Sequence, residues 1–194
     1  MTQDKIAKLI EAGRLFHQRG WVPATGGNFS ARVGPESLII TASGTHKGEL
    51  TESDFLVADF AGRPEIPGRK ASYETLLHCQ LYRHHAQIGC VLHTHSVANT
   101  ILSRRHKNIR LHGYELQKVL GVDTHESTLE VPVFANDQDI AALAARVDLE
   151  LKERPQSVAY LIAGHGLYAW GADVAQTRYR IEALEFMFEC ELRS

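Results

Sequence analysis

The apolar run at residues 88–93 reads as a buried strand, and it ends in His93-Thr94-His95. Side chains two residues apart on a strand project to the same face, so both imidazoles can reach one ion while Thr94 points the other way. His165 stands between Gly164 and Gly166 at the junction of two expected strands, where the backbone can bend closely and present a side chain at the end of a sheet. A lone His-x-His pair or a lone turn histidine has a plain structural account; the set of three points to a metal. Three neutral imidazoles suit zinc and leave positions open for a substrate, although ligand type alone also admits iron, cobalt or manganese.

Two glycine-containing segments flank the first strands, Thr25-Gly26-Gly27-Asn28-Phe29-Ser30 and Thr41-Ala42-Ser43-Gly44-Thr45-His46-Lys47-Gly48. Such turns offer successive backbone N–H groups to an anion, the hydroxyls add donors, and Lys47 adds a point charge. Lys70-Ala71-Ser72, at the expected start of a helix, is a third anion candidate, and Ser72 reads equally as an N-cap. Neither segment has Walker or dinucleotide spacing, and each alone reads as a tight turn; together they suggest a phosphate site at Asn28, Ser43, Gly44, Lys47 and Ser72.

Two glutamates are candidates for proton transfer. Glu74 falls in the first turn of the helix that feeds the His93 strand, and Glu115 follows His112-Gly113-Tyr114. A carboxylate beside a metal site has an altered pKa and can move a proton from carbon, whereas a first-turn Glu also serves the helix dipole alone. His17, His78 and His106, single within helical segments, and His84-His85 at a helix end read as structural, while His112 is a candidate to support Glu115.

The elements that must position these groups follow from periodicity. Helices are expected over residues 4–19, 73–86, 97–105, 140–152 and 173–192, with a short one over 115–120. Strands are expected over 29–33, 37–41, 55–60, 88–93, 129–134, 158–163 and 167–170, the first three as an antiparallel meander. Several connections are too short for parallel crossovers, which implies a mixed sheet covered by helices on both faces.

Composition narrows the class of partner. The 194 residues carry 21 basic and 23 acidic side chains, a formal charge of −2, with no basic stripe to track a nucleic-acid backbone. No apolar stretch approaches the roughly 20 residues of a membrane-spanning helix, and the N-terminus does not read as a signal peptide, so a soluble cytoplasmic protein is expected. Cys79, Cys90 and Cys190 are odd in number and lack metal or redox spacing, and they read as reduced thiols.

Thr25-Gly26-Gly27-Asn28-Phe29-Ser30, Thr41-Ala42-Ser43-Gly44, Ser72-Tyr73-Glu74, His93-Thr94-His95-Ser96 and Gly164-His165-Gly166 occur in the order found in the class II aldolase and epimerase superfamily, which the chain resembles over nearly its whole length. Within it, residues 43–48, 70–78 and 112–118 look most like the branch that dehydrates 5-methylthioribulose 1-phosphate in methionine salvage. The resemblance implies an α/β/α sandwich around a predominantly antiparallel mixed sheet, formed by residues 1–194 as one domain, and a homotetramer with active sites near subunit interfaces. It implies one zinc per subunit on His93, His95 and His165, and the phosphate of a small sugar substrate near Asn28, Ser43, Gly44 and Ser72. It ranks Glu115 first as the catalytic acid or base, with Glu74 as the aldolase-type acid/base residue or a metal-site relay. The expected reaction is a zinc-dependent hydro-lyase step through an enediolate, giving 2,3-diketo-5-methylthiopentyl 1-phosphate. The same chemistry serves a sugar-phosphate aldolase or pentulose-phosphate epimerase, and adducin-like heads share the fold without acting as enzymes. Tyr73 stands where some of the aldolases that the chain resembles carry a second serine.

Overall fold

A computed structural model describes residues 2–194. The chain runs α1 (Thr2–Gln18), β1 (Asn28–Gly34), β2 (Ser37–Thr41), β3 (Phe55–Asp59), α2 (Thr75–His84), β4 (Cys90–Thr94), α3 (Val97–Arg105), β5 (Asn108–His112), β6 (Thr128–Phe134), α4 (Ile140–Lys152), β7 (Ala159–Ile162), β8 (Gly166–Gly171) and α5 (Val174–Arg193). The strands form one eight-stranded sheet in the order β3-β2-β1-β4-β8-β7-β6-β5. Every neighbouring pair is antiparallel except β6 with β7.

Alternation along the strands divides the interior in two. Ile39, Cys90, Leu92, Leu161 and Leu167 face one way and pack with Leu9 and Phe16 of α1, Leu102 of α3, and Ile181, Leu184 and Phe188 of α5. Leu38, Ile40, Val91, Tyr160 and Trp170 face the other way and pack with Leu77 and Leu81 of α2 and Leu143, Val147 and Leu151 of α4. The helices therefore cover both faces, as the sequence implies. No helix among the described residues is long and apolar enough to cross a membrane.

Several expectations shift. β5 is missing from the sequence reading, because its exposed–buried alternation over Asn-Ile-Arg-Leu-His contains only two apolar residues. The helix expected from residue 73 begins at Thr75, so Glu74 is its N-cap, without a side-chain cap bond, and not a first-turn residue. Ser72 consequently does not cap it; the Ser72 carbonyl accepts from the Thr75 amide and hydroxyl. Asp173 does cap α5, accepting from the Gln176 amide. All three cysteines are free, Cys79 and Cys90 buried and Cys190 only half-buried.

Registry brings the site together. His93 on β4 pairs with Asn28 on β1 and with Tyr168 on β8, so these side chains lie abreast on the face that α2 covers. The close approach needs glycine at two places. A Cβ on Gly27, whose φ is +79°, would stand 2.6 Å from the His93 carbonyl oxygen, and one on Gly166 would stand 2.8 Å from His93 Cε1.

Candidate metal centre and anion cleft

The ligand nitrogens of His93, His95 and His165 lie within 4.8 Å of one another. His93 is fully buried at the end of β4; its Nδ1 donates to the Leu167 carbonyl at 2.9 Å, which leaves the Nε2 lone pair turned to the other histidines. Nε2 of His93 and Nε2 of His165 face each other at 3.2 Å, close to the roughly 3.3 Å expected of two nitrogens bound to one tetrahedral zinc. Oε1 of Glu74 lies 2.8 Å from His165 Nε2, and its Oε2 lies 3.4 Å from His93 Nε2. Imidazole nitrogens and carboxylate oxygens thus converge on one point. A donor set of that kind fits a cation.

Electrostatics agree. Burial pushes His93 well below the usual imidazole range and, with the neighbouring His165 charge, takes His95 down to about 4, so both are neutral, the form that binds metal, at pH 7. Burial opposes ionisation of Glu74, but its contacts with the His93 and His165 rings and the hydrogen bond from the Asn28 amide outweigh it and hold the carboxyl well below its ordinary value. Glu74 Oε2 accepts from Asn28 Nδ2 at 2.6 Å and from the Tyr168 hydroxyl at 2.8 Å.

A cleft of about 310 Å³ opens above this cluster, lined in part by Thr25, Asn28, Ser43, Gly44, Ser72 and Lys47, together with Glu74, His95 and His165. All five expected phosphate residues therefore share one cavity with two of the metal candidates, His95 and His165. Lys47 is buried there and donates to the carbonyls of Thr25 at 2.9 Å and Thr45 at 2.5 Å, tying the two glycine segments together. Burial lowers its ammonium to about 8, against the charges of Glu74 and Asp54. Gly44, at φ +78° with no heavy atom near its absent Cβ, leaves that loop's backbone open to the cavity.

Glu115 is elsewhere. It starts the 3-10 turn Glu115–Leu120, its side chain is 68 % exposed against 11 % for Glu74, and it pairs with Lys118 at 2.6 Å and His125 at 3.7 Å. The Lys118 hydrogen bond and charge hold its carboxyl below the ordinary value. Leu116 and Val119 on the same turn are exposed. His112 lies at the end of β5 with Nδ1 3.4 Å from the Thr128 hydroxyl, and no bond joins it to Glu115. Tyr73, exposed, donates to the Gln138 carbonyl at 2.8 Å.

The sequence reading missed Tyr168, Ser30 and Tyr82 and placed His78 among structural residues. His78 is fully buried directly beneath Asn28, and its one signal was its place four residues after Glu74. Tyr168 carries no local signal, since only the β4–β8 register sets it beside His93.

Residues 7–192 match the Class II Aldolase and Adducin N-terminal domain family. The chain belongs to this family. It is 50% identical, over 100% of its own length and 95% of the relative's, to methylthioribulose-1-phosphate dehydratase of Pseudomonas fluorescens (strain Pf0-1). It is 52% identical to the Azotobacter vinelandii protein of the same name, covering 96% of this chain and 92% of the relative. Among solved structures, L-fuculose-1-phosphate aldolase from Thermus thermophilus superposes with a TM-score of 0.80 at 28% identity, over 97% of this chain and 92% of that one. The family is metal-dependent, and the histidine cluster of this chain is able to hold a metal ion.

Proposed function

We propose that the chain catalyses dehydration of 5-methylthioribulose 1-phosphate to 2,3-diketo-5-methylthiopentyl 1-phosphate, a hydro-lyase step of methionine salvage in the cytoplasm. The observation that carries this reading is the identity of half the residues, over the full length, with proteins named for that activity. The cleft supports it: the glycine loops, Lys47 and two members of the three-histidine cluster line one cavity of a size suited to a small sugar phosphate.

His93, His95 and His165 would hold one zinc ion. A bound zinc ion supplies Lewis-acid polarisation of the ketose carbonyl, which acidifies the neighbouring C3–H bond. The glycine loops, with Asn28, Ser43, Gly44 and Ser72, hold the phosphate through backbone N–H groups and hydroxyls. Lys47 keeps those loops together and lends its charge to the anion. Glu115 acts as the acid or base: one proton leaves C3, the C4 hydroxyl departs as water with a proton, and the resulting C3 enol tautomerises to the diketone. Glu74 orients the histidines and relays protons.

Glu115 reaches this chemistry across a subunit boundary in a homotetramer. Supporting that assignment, it stands on an exposed turn flanked by exposed Leu116 and Val119, outside its own chain's cleft. The test of the overall reading is phosphorus and proton NMR of 5-methylthioribulose 1-phosphate incubated with the zinc-loaded protein and with a chelator-treated control. Zinc-dependent diketone phosphate is expected; dihydroxyacetone phosphate would make the protein an aldolase, and unchanged substrate would overturn the reading.

A further inference from the structure

Beneath the cleft a line of buried polar groups runs away from Glu74. Asn28 Oδ1 is hydrogen-bonded to His78 Nε2; His78 Nδ1 lies 2.7 Å from Ser30 Oγ, and Ser30 Oγ lies 2.8 Å from the Tyr82 hydroxyl. Each of these side chains is nearly or wholly inaccessible to water. The alignment has a geometric cause. Glu74, His78 and Tyr82 recur every four residues along α2 and its cap, a rise of about 6 Å per step, while Asn28 and Ser30 are two residues apart on β1, about 6.6 Å. Helix and strand therefore stay in step long enough to bond at successive levels.

The protons on this line have only one arrangement that satisfies every group. Ser30 Oγ is the hydrogen-bond partner of Tyr82 among the described residues, so the buried phenol must donate to it or leave its own proton unsatisfied. Ser30, having accepted, donates its single proton to His78 Nδ1. His78, neutral because burial takes it down to about 3, then carries its proton on Nε2 and donates to Asn28 Oδ1. That contact turns the amide so that Nδ2 donates to Glu74 Oε2. With His78 in the opposite tautomer the amide would reverse and set its oxygen against the carboxylate.

We propose that Tyr82, Ser30 and His78 form a directional hydrogen-bond relay that locks the Asn28 amide and so positions the Glu74 carboxylate against His93 and His165. His78 is thereby a positioning residue. Groups hydrogen-bonded directly to metal ligands typically alter affinity or activity roughly 10- to 100-fold; Glu74 is such a group here, and the relay acts on it through Asn28, so the low end of that range is expected. The effect on turnover rests on the proposed dehydration; the tautomer of His78 does not.

The test uses zinc-loaded protein with 15N-labelled histidine, in which two-bond 15N–1H correlations report the tautomer of each ring, and His78→Gln assigns the His78 signal. The wild type is expected to show His78 protonated at Nε2, and Ser30→Ala to lose that lock. In steady-state assays Ser30→Ala is expected to lower kcat roughly tenfold, with KM and zinc content little changed, and Tyr82→Phe, which keeps its ring stack on Phe60, to lower it less. His78→Gln, which retains a donor toward Asn28, is expected to keep more activity than His78→Ala. Protonation at Nδ1 in the wild type, or an unchanged tautomer and kcat in Ser30→Ala, would overturn the relay. Were the wild type not to turn over the substrate at all, the tautomer result would still decide it.

Discussion

Glu74 and Glu115 are carboxylates of similar chemical promise held in opposite surroundings. Glu74 is buried, accepts from Asn28 and Tyr168, and lies against two of the three clustered histidines. Glu115 is two-thirds exposed and meets only Lys118 and His125, in ion pairs of the solvent-screened kind that contribute little. Glu74 has its partners fixed within one chain, at the cost of desolvation. A group that meets substrate from another subunit has to be presented at the surface. The contrast separates two environments that residue type alone does not distinguish.

The largest effect expected is from Glu115→Gln. Loss of an acid or base costs about 10²–10⁴ in kcat, while zinc content and thermal unfolding should match the wild type because the side chain is exposed; near-normal turnover would remove Glu115 from the reaction. Mixing decides where it acts. Oligomers assembled by co-expressing Glu115→Gln with His95→Ala should regain activity that neither parent has, since some sites then combine an intact cluster with an intact Glu115 of a neighbour. Failure of assembled hetero-oligomers to recover would place Glu115 within its own chain's site.

Glu74→Gln should act differently, weakening zinc retention about 10- to 100-fold as read by competition with a chromogenic chelator, because the neutral amide removes a charge and reverses one contact with Asn28. Unchanged zinc affinity would undo the contrast.

The smallest effect concerns Glu185 on α5, on the other face of the sheet, where its carboxylate accepts from Thr94 and Asn99, both at 2.8 Å. Burial raises this carboxyl to about 7, opposed by hydrogen bonds from Ser96, Thr94 and Asn99. Its folded-state pKa exceeds its unfolded one, so the native state holds the extra proton, and its contribution is full below about pH 4.5 and lost as pH rises through about 7. Glu185→Gln should therefore gain on the wild type by on the order of 2–3 kcal/mol between acid and neutral pH in urea unfolding. A constant difference across that range would show that Glu185 titrates normally.

Much of this was legible beforehand. The His-x-His pair needed only strand alternation, and the glycines around His165 marked the bend that brings it to the pair. The three-layer fold followed from interleaved helices and strands whose short connections barred most parallel crossovers. β5 escaped because a five-residue strand with exposed Asn108, Arg110 and His112 looks like a polar loop until Thr128–Phe134 pairs with it. His78 escaped because a histidine in an amphipathic helix is ordinarily structural, and nothing local shows that Asn28 lies above it.

Residue order alone determined the histidine set, the glycine-containing loops, the two sheet faces and the family, because these depend on contacts within a few residues or on a full-length pattern. Tertiary structure alone decided which carboxylate lies beside the histidines, that Lys47 is buried between two loops, and that Tyr168 and the Tyr82–Ser30–His78 line support the site. Those relations run from 19 positions, between Glu74 and His93, to 94, between Glu74 and Tyr168, set by strand register and helix packing. No local preference encodes such distances; they exist only once the sheet has chosen its pairing and α2 has settled on its face.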